Sequence, residues 1–411
     1  MKNVPNASLF NATVIVAALG YFVDIYDLLL FGIIRIPSLK DLGLSVEEIT
    51  TKGEGILWWQ MIGLMLGGVL WGVFGDKKGR SSVLFGSILL YSLANIANGF
   101  VQTVEQYKII RFIAGIGLAG ELGAGITLVA ELLPKHKRGI GTSMVAGFGV
   151  TGAIMAFVMK ENFHWRTCYF IGGGLGLLLL LLRVSVLESG LFHQMKKKTV
   201  QKGNLFMLLN NLGRLKRYVL SILIGLPTWY VIGILVTFSK EFGQAFGISK
   251  EIDPGKAIMF SYAGLAAGDV AIGFVSQWLK SRKKALFVFY ALTALFITLF
   301  FTIQWNGSTA MMYMLCTALG FSIGFWAIFV TIGAEQFGTN LRATAATTIP
   351  NMVRGMLSLI ILPMFTILRG IQGVGYVNGA IYTGIIVFAI SLLAVIYSAE
   401  TYDKDLNYEE T

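Results

Sequence analysis

Charge is what this 411-residue chain lacks most: Asp, Glu, Lys and Arg make up 13% of it, about half the roughly 25% of a soluble domain. Hydrophobic residues reach 55% and the mean hydropathy is +0.71. A surface so poor in charge could not keep two or three soluble domains in solution, so a soluble enzyme, a secreted scaffold and a disordered protein are excluded. The two cysteines, Cys168 and Cys316, both sit in apolar stretches, so no disulfide framework is indicated. The three histidines, His136, His164 and His193, lie in or near loops and form no metal-ligand cluster, so no metal is expected. No GxxxxGK[ST] run occurs, which removes ATP as the energy source. No Ser/His/Asp constellation is placed for hydrolysis, and neither an enzyme activity nor a cofactor is expected.

What the chain has in quantity is long apolar runs. A bilayer core needs about 20 apolar residues per helix, and twelve stretches qualify: 11–35, 54–75, 82–101, 106–133, 139–160, 166–187, 217–240, 256–279, 285–304, 309–335, 343–368 and 374–398. Barrel strands would show ten-residue alternation in place of unbroken runs. The first run reads as a retained helix and not a removed leader. The expected fold is an all-α membrane protein of twelve helices.

The net charge of +11 follows from the preference of Lys and Arg for inside loops, so nucleic acid is not an expected partner. With both termini cytoplasmic, the inside loops collect the majority of those residues. The polar stretch 188–216, with Lys196, Lys197, Lys198, Lys202, Arg214 and Lys216, falls near the middle of the chain. It reads as a solvated linker, able to touch anionic lipid, between a bundle at 1–187 and a bundle at 217–411. The halves repeat: Glu131 and Arg138 in "AELLPKHKRG" recur 204 residues on as Glu335 and Arg342 in "AEQFGTNLRA". The basic turn "GDKKGR" falls opposite "KSRKK" at nearly the same offset. Two pseudo-symmetric six-helix bundles with a site at their interface suit a parallel-repeat transporter.

Four motifs then carry a family resemblance. "GVFGDKKGR" contributes Gly72, Asp76, Gly79 and Arg80; "RFIAGIGLAGE" contributes Arg111 and Glu121; "AELLPKHKRG" and Glu188-Ser189 follow. Together they resemble the major facilitator superfamily, in its metabolite:proton symporter and sugar-porter branches. The resemblance implies a gating role for Gly72, Asp76, Gly79, Arg80, Glu131, Arg138, Glu188, Glu335 and Arg342. Two departures stand out: Gln277 occupies the place of an acidic residue in the second half, and the fifth span lacks the Gly-Pro pair of drug antiporters.

Ionisable groups inside spans are costly, about 2.5–3.5 kcal/mol at a helix centre, and usually face a cavity or a partner. Asp24 and Asp27 lie three residues apart on one face of the first span. Either can form the Asp–Arg contact with Arg111 that the resemblance supports. The other is then free to take up and release a proton, as is Glu121 unless close helix packing around its glycines makes it structural. Asp269 reads as structural. Arg354 shares its span with no acid and is suited to hold a carboxylate or phosphate, or else pairs with another span. Asn351, on the same face as Arg354, and Gln60, Trp229, Tyr230 and Trp326 are candidate cavity lining.

The expectation is a monomeric, proton-coupled symporter importing a small organic anion in a bacterial inner membrane, its partners being substrate, protons and lipid. Sugar, polyol or zwitterion symport, and proton-driven efflux, remain open. A sensor built on a transporter body would carry a longer cytoplasmic extension than the eleven residues after Glu400.

Overall fold

The structure, a computed structural model, describes residues 12–78, 80–133, 135–188, 205–303, 305, 307–338, 340–404, 408 and 410. Of the expected site residues, Gly79 and the side chains of Asp76, Arg80, Glu131, Arg138 and Glu188 lie outside the described residues, as does most of the central linker.

The described chain is helical. Eleven helices are long and apolar enough to cross a membrane: α1 (Val14–Asp41), α2 (Thr51–Gly75), α4 (Val104–Ile126), α5 (Ile140–Asn162), α6 (Trp165–Arg183), α7 (Leu212–Val236), α8 (Pro254–Trp278), α9 (Arg282–Thr302), α10 (Thr309–Glu335), α11 (Thr344–Gly370) and α12 (Gly375–Tyr397). Between α2 and α4 stands a shorter apolar helix, α3 (Ser82–Asn98). Leucines and isoleucines left exposed on α6 (Leu178, Leu181), α9 (Leu295) and α12 (Ile385, Leu393) mark faces turned to lipid.

Several ends differ from expectation, two of them with a clear local cause. The first helix runs on through Arg35 and Pro37 to Asp41, because its polar end still packs on the bundle. The seventh begins at Leu212, five residues early, where Asn211 accepts hydrogen bonds from Gly213 N (2.9 Å) and Arg214 N (3.2 Å) as an N-cap.

Within the first half, α2 packs on α4, α3 on α4 and α6, and α1 on α5 and α6. Within the second, α8 and α9 pack on α10, and α7 on α12. Across the halves, α2 meets α11 and α5 meets α8. Two of these contacts need glycine: a Cβ on Gly67 would stand 2.7 Å from the Ile116 Cα, and one on Gly268 would stand 3.0 Å from the Gly324 Cα. The α2–α4 and α8–α10 approaches thus repeat with the same residue type at equivalent places.

Several of these helices are broken. The α-helical hydrogen bonding of α4 is interrupted at Ala119–Gly120 and that of α10 at Ile323–Phe325. Wider π-turns occupy Val231–Val236 in α7 and Leu357–Ile361 in α11. Breaks at membrane depth release backbone groups, and these are tolerated where protein or a ligand satisfies them.

Candidate functional site

Arg111, from α4, organises the interior of the first half. Its Nε donates to Gln60 Oε1 (3.2 Å), Nη1 to Asn95 Oδ1 (3.2 Å) and Nη2 to the main-chain oxygen of Asp27 (3.0 Å). Gln60 Nε2 donates in turn to Leu28 O (2.9 Å). Gln60 therefore supports the α1 backbone instead of lining an open cavity. The expected Asp–Arg contact is made, but to the backbone of Asp27: no ion pair joins Arg111 to either α1 carboxylate among the described residues. Three of its five N–H donors go to neutral acceptors, and both Asp27 carboxylate oxygens stay buried near Arg111 without a hydrogen-bond partner.

Glu121 has a dedicated partner. It forms a buried ion pair with Arg183 of α6, with Arg183 Nη1 3.1 Å from Glu121 Oε2. Arg183 was not among the expected site residues, although its place after six leucines (177–182) is that of a charge inside a span. Asp269 Oδ1 accepts from Ala327 N at 2.9 Å, capping the part of α10 that restarts at Trp326.

The break in α4, the break in α10 and the middle of α11 converge on Arg354. This guanidinium is 1% exposed. Its Nη1 donates to Asn351 Oδ1 (3.2 Å), its Cζ lies 5.7 Å from the Trp326 ring centre, and its Nε has no hydrogen-bond partner. No carboxylate is within ion-pair distance of it among the described residues. Asn351 Nδ2 donates to Thr347 O and, across the halves, to Ala119 O, both at 2.8 Å. From α1, Asp24 is fully buried with both oxygens unpartnered, and the charge of Arg354 is the cation that acts on it. Tyr21 of α1 and Tyr262 of α8 share the field of Arg354 and Asp269.

The α7 aromatics divide. Tyr230 donates to Ala380 O (2.8 Å), which pins α7 to α12. Trp229, 4% exposed, keeps Nε1 unpartnered, and so does the Thr228 hydroxyl beside it.

At the end bearing the chain termini, Thr344 Oγ1 donates to Gly72 O (3.3 Å), joining α2 to α11. Glu335 pairs with Arg282 (3.3 Å) and accepts from Thr401 Oγ1 (2.8 Å). Arg342 is buried near it in sequence. Gln277, in the place of the expected acid, accepts from Tyr402 (3.0 Å). At the opposite end Lys160 of α5 pairs with Asp253 before α8 (2.8 Å).

The sequence that builds this frame is matched over residues 17–363 by the family model described as Major Facilitator Superfamily. The chain belongs to that superfamily. It is a multi-pass membrane transporter, not an enzyme. A putative metabolite transport protein of Haemophilus influenzae is 27% identical over 97% of this chain and 95% of its own. The niacin transporter NiaP of Acinetobacter baylyi is 24% identical over 99% and 98%. The solved structure of the proton:xylose symporter XylE bound to 6-bromo-6-deoxy-D-glucose superposes with a TM-score of 0.72 over 98% of each chain at 19% identity, a likeness of fold.

Proposed function

We propose that this transporter is a proton-coupled symporter that imports a small organic anion by alternating access. Arg354 holds the anion and Asp24 or Asp27 carries the proton. The observation that carries the reading is the buried Arg354, with Nε unpartnered and no carboxylate at ion-pair distance among the described residues, acting by its charge on Asp24, whose oxygens are both unpartnered. An uncompensated charge at that depth is expensive, and an incoming carboxylate matches the free edge of the guanidinium. That a relative is named for niacin, a carboxylic acid, supports the same substrate class.

Asn351 and Trp326 hold Arg354 in place, and Trp229 offers an indole N–H to the substrate. Glu121 is engaged by Arg183, so it ranks behind the two α1 carboxylates as proton carrier. We assign twelve spans, with α3 as the third, in bundles 1–187 and 217–411 joined by the linker 188–216. Both termini are cytoplasmic and the membrane is the bacterial inner membrane. The pairs Gly72–Thr344 and Glu335–Arg282 belong to the cytoplasmic gate, together with Asp76, Gly79, Arg80, Glu131, Arg138, Glu188 and Arg342. Each charge moved through 100 mV is worth about 2.3 kcal/mol, so an anion taken up with more than one proton is driven inward by the membrane potential.

The test is uptake by purified protein in liposomes with an alkaline interior, using labelled nicotinate and benzoate, with xylose as a neutral control. Accumulation of a carboxylate that collapses with a protonophore, and is absent in Arg354→Ala, supports the reading. Proton-driven accumulation of xylose and of neither acid rejects it.

A further inference from the structure

A second cation is held in the bundle without a hydrogen-bonded partner. Arg35 is 6% exposed and lies eleven residues beyond Asp24 on α1, about 16 Å along the helix axis. It lines a cavity of about 310 Å³ together with Pro37, Lys160, Lys240, Glu251 and Asp253, a volume at the lower end of the roughly 300–1,000 Å³ of small-molecule sites. The other charges of this wall are already matched. Lys160 is 2.8 Å from Asp253, and Lys240 is 2.5 Å from Glu251. The Arg35 side chain has no hydrogen bond or ion pair among the described residues, and its contact is the face of Phe238, 5.9 Å from guanidinium carbon to ring centre. Gly53 of α2 packs on its stem, where a Cβ would stand 2.7 Å from Arg35 Cδ. The guanidinium is thus held from two sides.

We propose that this cavity is a second, weak binding site for a small carboxylate, with Arg35 as the anchor, lying on the entry path to Arg354. The assignment rests on the anion reading for the class of ligand and on cytoplasmic termini for its outward position. The cavity is built where the two halves meet, from the far end of α1, the end of α5 and the segment between α7 and α8. An anion can therefore reach it before the central site. The neighbouring carboxylates keep the site weak. Glu251 and Asp253 are part of its wall, and Glu54, next to Gly53 on α2, lies in the field of Arg35 and Arg369 without pairing with Arg35. A captured anion gains one forked contact and is not trapped on its way inward.

The experiment is anomalous scattering from crystals of the full chain soaked with p-iodobenzoate, for the wild type, Arg35→Gln and Arg35→Lys. Iodine is expected both at Arg35 and at Arg354 in the wild type, at Arg354 alone in Arg35→Gln, and at reduced occupancy beside the lysine in Arg35→Lys. In liposomes Arg35→Gln is expected to raise the KM for p-iodobenzoate about tenfold, which is about 1.4 kcal/mol, with the maximal rate unchanged. Iodine at Arg354 alone in the wild type overturns this inference and leaves the proposed function standing. Iodine at Arg35 alone supports the inference and counts against the proposed function. Iodine at neither site overturns both. An Arg35→Gln protein with wild-type KM and wild-type iodine at the cavity also overturns the inference.

Discussion

Asn351 donates a 2.8 Å hydrogen bond to the main-chain oxygen of Ala119, so the residue that supports Arg354 is tied to the break in α4 of the other half. The same side chain accepts from Arg354 Nη1. One amide therefore joins the bundle interface, a broken helix and the central cation.

Replacing Asn351 by Ala removes both links at once. Two polar groups, Ala119 O and Arg354 Nη1, lose this partner in a buried place, at about 1–3 kcal/mol for each one left unsatisfied. The expected outcome is a lower melting temperature in detergent and a raised KM for the transported anion, since Arg354 loses its support. Asn351→Asp restores an acceptor but adds a negative charge beside Arg354. It is expected to fold and to lose anion affinity, read as loss of ligand-induced stabilisation. Wild-type affinity in Asn351→Asp is the result that counts against Arg354 as the anchor.

Glu121 and Arg183 form a buried pair, and breaking such a pair from one side costs about 3–5 kcal/mol because the other charge is stranded. Glu121→Gln and Arg183→Leu are each expected to lower the melting temperature strongly. The double variant Glu121→Leu/Arg183→Leu is expected to recover most of that loss. A Glu121→Gln protein with wild-type stability and no proton-driven accumulation would instead move Glu121 to the head of the proton carriers.

How much of this was legible in the chain depended on whether a feature was local. Long apolar runs locate helices well, because backbone groups in lipid have few other ways to be satisfied. The early start of α7 was missed because Arg214 and Lys216 look like loop charges, while a helix end at the interface carries them readily by extending their side chains. Asp24, Asp27, Glu121, Asp269 and Arg354 stood out as charges inside spans. Their partners did not, since pairing depends on which faces meet. Arg183 was overlooked beside Glu121, and Arg111 reached a backbone oxygen where a carboxylate was expected. Gln60 and Tyr230 were polar or aromatic in the right spans, yet their bonds to Leu28 and Ala380 make them struts.

Outside the membrane the segment after α12 supplies a pH-sensitive contact. Burial raises the pKa of Glu400, but hydrogen bonds from Ser281 and from the backbone N–H groups of Tyr402, Arg282 and Lys283 outweigh it, and the carboxyl is held below its ordinary value. The Arg282 and Lys283 amides, at 2.9 and 3.2 Å, belong to the first turn of α9, so the carboxylate caps that helix. A pKa depressed by folding gives stability that is full above the ordinary carboxylate range and is lost as pH falls through the folded value. Melting temperature is therefore expected to drop between about pH 5 and pH 3, and Glu400→Gln is expected to flatten that drop while lowering the plateau near neutral pH. A wild-type slope in Glu400→Gln would assign the acid sensitivity elsewhere.

Arg354 decides between an anionic and a neutral substrate. In a state with an open cavity water can solvate the guanidinium, but in an occluded state the compensation must come from substrate or from a protein acid. The carboxylate that acts on it, Asp24, is not at ion-pair distance in this structure, which leaves the position beside Nε available. If the substrate supplies the charge, Arg354→Lys keeps a cation but loses the planar fork, and transport is expected to weaken while folding survives. Arg354→Ala leaves the substrate carboxylate unpaired, at about 2–5 kcal/mol by comparison with truncated buried charge pairs, which is roughly thirtyfold to several thousandfold in affinity. If Asp24 supplies the charge instead, Arg354→Ala strands that acid and lowers the melting temperature, and the double variant Arg354→Ala/Asp24→Asn recovers it without changing which substrates bind. Melting temperature and ligand-induced stabilisation, measured on the same three proteins with nicotinate, benzoate and xylose, separate the two cases. Undiminished stabilisation of Arg354→Ala by either acid would remove the anion site from Arg354.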